Sequence, residues 1–270
     1  MTTPLLDLDR LGVDLDDRVL VESVSISIAP GERVGIIGES GSGKSLTALA
    51  ALGLLAHPLR ARGAVRVRSS GLVADAVTAS QRTLDSIRGT VLGAVFQEPL
   101  ASLDPLMRVG RQLAWPLRRH RGLRGDALNR GVLDALADVQ LANPERVARS
   151  YIHEISGGQR QRVAVALALA GSPDLLIADE PTTALDVTVQ AGVLDLLQRE
   201  VTDRGMALMF ISHDLPVVTQ MTDRVLVMRA GRQIEIADTE TLVSAPVQPY
   251  TRELVAASRA LDDLLPKETR

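Results

Sequence analysis

Residues Gly38-Glu39-Ser40-Gly41-Ser42-Gly43-Lys44-Ser45 fit the pattern G-x-x-x-x-G-K-S. The apolar run Val34–Gly38 leads into them, and a stretch with helical character follows from Ser45 to about Leu55. A glycine-rich loop between a buried strand and a helix can point successive backbone N–H groups at one anion. The helix N-terminus adds positive potential. Lys44 places a charge on the outer phosphates of such a ligand, and the Ser45 hydroxyl suits Mg²⁺. The chain holds only two lysines, Lys44 and Lys267, and writes arginine elsewhere. A lysine kept at this position is therefore informative. A chance flexible glycine loop is the alternative, and the strand-then-helix context weighs against it.

Strand and helix signals alternate around this loop. Residues 4–30 read as short strands with turns at Asp16-Asp17 and Pro30-Gly31, and residues 60–97 as mixed strands and turns. Helical periods appear at Arg111–Arg121, Asp126–Gln140 and Gly158–Ala170. From Leu175 the alternation returns: strand Leu175–Ala178, helix Val187–Arg199, strand Ala207–Ile211, helix Leu215–Gln220 and strand Arg224–Met228. This predicts an α/β fold, mainly a parallel sheet covered by helices, with an N-terminal antiparallel β region. The expected division is a core of 4–97 and 173–240, an inserted helical subdomain over 98–172, and a C-terminal extension over 241–270.

Charge and composition narrow the function classes. A net charge of −3 gives no basic footprint for nucleic acid. The absence of cysteine excludes disulfides and thiolate metal sites. No apolar run reaches the roughly 18 residues of a membrane span, and the start MTTPLLDLDR does not read as a signal peptide. A cytoplasmic chain is expected, with other chains supplying any membrane-spanning part.

Three further groups carry chemistry. Leu175–Ala178 runs into Asp179 and Glu180. Adjacent carboxylates at the end of a buried strand suit a metal ion and an attacking water, although a solvated strand end is the plain alternative. Ser156-Gly157-Gly158-Gln159 stands before a helix, as a second anion site or simply a helix start with Ser156 as N-cap. His213 follows the strand Ala207–Ile211. His57, His120 and His153 read as structural or surface residues.

Taken together, this order resembles the nucleotide-binding subunit of the ATP-binding cassette (ABC) transporter family, over nearly the whole chain. Gly38–Ser45 matches Walker A, Leu175–Glu180 matches Walker B, Gln97 the Q-loop and Ile155–Gln159 the signature. Ala184-Leu185-Asp186 matches the D-loop and His213 the switch histidine. The resemblance implies a P-loop NTPase core that binds ATP with Mg²⁺. Gly38, Glu39, Ser40, Gly41, Ser42, Gly43, Lys44, Ser45 and Thr47 fall to the nucleotide site, together with Gln97 and Asp186. Ser45, Gln97 and Asp179 fall to Mg²⁺, Glu180 to the attacking water and His213 to the γ-phosphate. Two such subunits pack head to tail, so each ATP lies between one P-loop and the partner's Ser156, Gly157, Gly158 and Gln159.

Finer wording resembles the peptide/nickel importer subfamily: Phe96-Gln97-Glu98-Pro99, Ser102-Leu103-Asp104-Pro105, His153-Glu154 and Pro249-Tyr250-Thr251-Arg252. The implied partners are transmembrane permease subunits, a second ATPase subunit of the same or a related chain and, indirectly, an external solute-binding protein. No nucleic-acid partner is implied. The implied place is the cytoplasmic face of the membrane. A soluble cassette protein acting on nucleic acid or ribosomes is the rival reading, and the acidic balance counts against it. Ile152, Ile155 and Gln248 depart from the subfamily's usual residues, and the cysteine cluster that some relatives carry has no counterpart in this cysteine-free sequence. The family's adenine-stacking aromatic is also missing around Asp14-Leu15. Such stacking is worth about 1–3 kcal/mol, so weaker nucleotide affinity or relaxed base choice is expected. Trp115 is read as packing, with a permease contact as the alternative.

Overall fold

The computed structural model describes residues 3–69, 71–98, 100, 102–183 and 186–264. The chain falls into two compact units, one of Met1–Ala79 with Met209–Arg270 and one of Ser80–Leu208.

The first unit opens with an antiparallel hairpin, β1 (Leu6–Leu15) and β2 (Arg18–Ile28), paired from Leu6↔Ile28 to Leu15↔Arg18. Asp16 takes a left-handed φ of 51° in its turn, a conformation that aspartate tolerates better than most residues. Leu6, Leu8, Val24, Ile26 and Ile28 are buried. Each such side chain contributes about 1.5–3 kcal/mol on burial. β3 (Arg33–Ile37) leads into the glycine loop and α1 (Lys44–Ala51). The helix expected to reach Leu55 stops at Ala51, and Gly53 turns the chain with a φ of 63°. β4 (Leu59–Ser69) pairs with β1, and β5 (Leu72–Asp75) pairs with β4, both antiparallel.

The second unit begins with α2 (Gln81–Ile87), where strands and turns were expected. Ser80 caps it by accepting from the Thr83 N–H, and its apolar contribution is only Leu84 and Ile87. β6 (Leu92–Val95) follows. Then come α3 (Val109–Arg121), α4 (Gly125–Asp138), the short α5 (Pro144–Arg149), a 3₁₀ turn at Ile152–Glu154 and α6 (Gly157–Leu169). β7 (Leu175–Asp179) runs parallel to β6 with Leu92↔Leu175 and Val95↔Ala178 in register. α7 (Val187–Arg204) continues beyond the expected Arg199 and ends at Gly205 in a left-handed cap. Arg162 joins these helices by donating to the carbonyls of Val139 and Gly192. Ile152 and Ile155 are buried, so both departures from the usual wording serve as core.

β8 (Ala207–Ser212) carries the chain back to the first unit. α8 (Leu215–Met221), β9 (Arg224–Arg229), β10 (Arg232–Asp238), α9 (Thr239–Ser244) and α10 (Pro249–Leu264) follow. β9 is parallel to β3 and antiparallel to β10. Among the described residues no helix is long and apolar enough to cross a membrane.

Candidate nucleotide-binding site

The glycine loop is fixed from several sides. A Cβ on Gly38 would run into the Met228 carbonyl oxygen, so only glycine lets β3 leave the sheet beside β9. Gly43 takes a left-handed φ of 97° as N-cap of α1, and a Cβ there would meet Val21 Cγ2 at 2.8 Å. The Ser42 N–H donates to the Glu39 carbonyl, and the Ser42 carbonyl accepts from Gly231 N–H at 3.1 Å. The β9–β10 turn thus holds the loop from outside.

Lys44 is 4% exposed, and its Nζ donates to the Gly38 carbonyl at 2.7 Å and the Glu39 carbonyl at 3.0 Å. The ammonium therefore sits at the mouth of the curled backbone, where an anion bound to the loop would meet it. The buried Ser42 hydroxyl makes no hydrogen bond among the described residues, leaving a polar group for a phosphate oxygen. Thr47 is fully buried and donates to the Gly43 carbonyl at 3.0 Å, so it braces the loop from beneath.

In the second unit, β7 is buried along its length and ends at Asp179, which is 6% exposed. Glu180 then turns sharply with a left-handed φ of 47°. Its carboxylate accepts from the Thr183 hydroxyl at 2.9 Å. Gln97 is exposed two residues past β6, the strand directly paired with β7. Asp179, Glu180 and Gln97 thus gather at the C-terminal ends of two adjacent parallel strands, where α/β sheets bind ligands. Sequence reasoning does not single out Thr183, although its spacing after Glu180 allows the contact.

Ser156 caps α6 in a reciprocal box: its hydroxyl accepts from Gln159 N–H, and the Gln159 side chain accepts from Ser156 N–H. Gly157 faces open space. Gly158 packs on Val189 of α7, whose N–H donates to the N-cap Asp186 at 3.0 Å. One packing contact therefore links Ser156–Gln159 to Asp186. Ala184 and Leu185 lie outside the described residues. In the first unit, His213 is exposed just after β8, ahead of Asp214, which caps α8 through Val217 N–H. Near the expected base position, the Asp14 carboxylate is held by Arg62 at 3.1 Å.

Within the second unit, the Asp179 and Gln97 side chains offer oxygen atoms of the kind Mg²⁺ takes, one or two protein groups completed by water and phosphate oxygens; within the first unit, Ser45 offers a hydroxyl oxygen. Among the described residues no cluster of three acidic or imidazole groups forms a dedicated metal cage.

The sequence pattern of the ABC transporter family matches residues 21–183. The chain belongs to the ABC transporter family. An ATP-binding cassette dimer in a post-hydrolysis state, bound to ADP and Pi, superposes with a TM-score of 0.75 at 27% identity. The match covers 87% of this chain and 98% of that one. A part of the ABC transporter complex CbiONQ from Clostridium perfringens matches with a TM-score of 0.73 at 25% identity, over 97% of this chain and 98% of that one. The fold is thus that of the P-loop ABC ATPases, and this ABC chain binds ATP and has their hydrolytic chemistry.

Curated relatives are more similar still. A peptidoglycan transport ATP-binding protein of Agrobacterium fabrum is 44% identical over 95% of this chain. The chain spans 47% of that relative's length. A Brucella abortus protein named for peptide import ATP binding is 42% identical over 97% of this chain and 79% of its own length.

Proposed function

We propose that this ABC ATPase powers a peptide importer, or one for nickel or a similar small solute, from the cytoplasmic face of the membrane. The observation that carries the catalytic part is Glu180, held by Thr183 in a left-handed turn beside Asp179. Glu180 orients the attacking water, and Lys44 stabilises the phosphate charge. His213 hydrogen-bonds the γ-phosphate. Ser45, Gln97 and Asp179 hold Mg²⁺, which supplies charge neutralisation at the phosphates when bound. The loop Gly38–Ser45 of one copy faces Ser156–Gln159 of a second copy or related ATPase, with Asp186 at the interface. The open space over Gly157 supports this arrangement.

Import of peptides is supported by the Brucella abortus relative. Permease subunits are the membrane partners, and an external solute-binding protein delivers the cargo. The helical part, residues 98–172, receives the permease. In the second unit a cavity of about 940 Å³ is lined by Arg88, Asp104, Met107, Trp115 and Arg119. Trp115 is 63% exposed, against the expectation of buried packing, and Arg119 lies 5.4 Å from its ring centroid. An exposed aromatic of this kind suits a partner segment.

Purification from native membranes in mild detergent tests the reading. Recovery of a permease pair with a second ATPase supports it. Recovery with ribosomes, with nucleic acid or without a membrane partner overturns transport and leaves the ATPase standing.

A further inference from the structure

Residues 108–124 hold Arg108, Arg111, Arg118, Arg119, Arg121 and Arg124 and no acid, although the whole chain carries a net charge of −3. Most of this stretch is α3. A helix C-terminus favours cations, which accounts for Arg118, Arg119 and Arg121 in the last turn. It does not account for Arg111 in the first turn, where the helix dipole opposes a positive charge. Arg111, Trp115 and Arg118 follow one another at steps of four and three, so they share one face of the helix. All three are exposed. Among the described residues neither Arg111 nor Arg118 is in an ion pair.

These three residues line the cavity of about 940 Å³ in the second unit, where Met107 and Ala114 add apolar surface. The two acids of its lining are already engaged. Asp85 pairs with Arg88 at 3.6 Å, and the Asp104 carboxylate accepts from Leu106 N–H at 2.8 Å. The walls are also fixed in advance. The buried Gln112 side chain accepts from Asp104 N–H at 2.9 Å and donates to the Asp104 and Met107 carbonyls, which ties the loop before α3 to the helix. On the other side His120 sits against Gly89, where a Cβ would stand 2.7 Å from its Nε2. Walls that need not be ordered on binding lower the cost of docking.

The occupant that fits is acidic and partly apolar. A carboxylate matches the fork of an arginine, and an exposed tryptophan beside it is a common anchor at interfaces. A concave site favours a chain segment over a bilayer surface, which is flat on this scale. We propose that this groove docks a permease segment bearing acidic side chains, with carboxylates on Arg111 and Arg118 and an apolar side chain against Trp115. The proposal rests on the reading that residues 98–172 receive the permease, and it adds the chemistry of what they receive. Arg111 and Arg118 stand about 10 Å apart along the helix axis, so acids two turns apart on a partner helix would meet both.

The permease pair recovered from native membranes, placed in phosphatidylcholine nanodiscs and titrated with the full chain, tests this. Binding is expected to weaken as salt rises. Arg111→Glu combined with Arg118→Glu is expected to weaken it by about 10- to 100-fold, because like charges then face each other. The ATP affinity of the same variant, read by calorimetry, should not change, which shows that it is folded. Permease binding unchanged by the charge reversal overturns the proposal and leaves the permease reading standing. If the unaltered chain does not bind the pair at all, the permease reading has failed and the proposal with it. Vesicles containing phosphatidylglycerol, without permease, test the other source of negative charge. If the reversal abolishes binding to these vesicles and spares binding to the nanodiscs, the stripe reads lipid and the proposal falls. Should the reversal fail to fold, Arg111→Gln with Arg118→Gln removes the charges without inverting them. About 3- to 10-fold weaker permease binding is then expected, and unchanged affinity is equally fatal.

Discussion

Gly158 at the start of α6 lies so close to Val189 of α7 that an added Cβ would stand 2.6 Å from Val189 Cγ1. Val189 in turn donates its N–H to Asp186. The start of α6 and the residue that caps α7 are therefore joined through one contact that only glycine permits. Valine is stiff in a helix and yields poorly. Gly158→Ala is expected to cost about 1–3 kcal/mol from overpacking, against at most about 1 kcal/mol regained in helix propensity. The variant should melt earlier and hydrolyse ATP more slowly. Adding Val189→Ala should restore much of the loss, and a double variant no better than the single one would show that the contact is not the cause.

Lys44 spans the curled loop through two carbonyls. Lys44→Ala removes a charged donor from both and from the ligand. ATP binding should weaken by about 1.5–3 kcal/mol, on the order of 10- to 100-fold, as read by calorimetry. Lys44→Arg should not rescue it, because a planar guanidinium does not replace a buried point charge.

Glu180→Gln should retain ATP binding and lose turnover by about 10²- to 10⁴-fold, the range of a general base. Thr183→Val leaves the carboxylate but removes the hydroxyl that orients it. Its kcat should fall by a smaller factor, about 3- to 10-fold. Single-turnover assays with the assembled transporter separate the two. Equal losses in both variants would place Thr183 in a different role.

His120 lines the cavity around Trp115. Burial first, and then the Arg119 charge, pushes its pKa below the usual 6.5. The folded imidazole therefore resists a proton that the unfolded chain accepts. Stability is full above about pH 6.5 and falls as pH drops below it, through the lowered folded value. Thermal melts from pH 8 to pH 5.5 should show this slope, and His120→Gln should flatten it. An unchanged slope in the variant would assign the dependence to another group.

Much of the fold was legible because its signals are local. The run Leu175–Ala178 reads as a strand from apolar continuity, and α6 reads from its period and from Ser156, which does cap it. Elements with thin apolar faces were not legible. α2 buries only Leu84 and Ile87. The six-residue α5 is too short for a period, and Pro144 at its first turn is its one local start signal. β10 alternates weakly and is nowhere fully buried. Its existence depends on β9 lying beside it.

Within the site, the sequence by itself determined which residues carry charge and hydroxyls, and on which strand end, loop or helix start each stands. A glycine loop after a strand, an acid pair ending another and a serine before a helix are fixed within a few residues of chain, where backbone stereochemistry decides. The tertiary structure alone decided the pairings between distant residues: Gly158 with Val189, and Tyr250 with Arg229. It also left Trp115 outside the core. The physical reason is that propensity and periodicity act along the chain, whereas these contacts depend on which elements the topology places side by side.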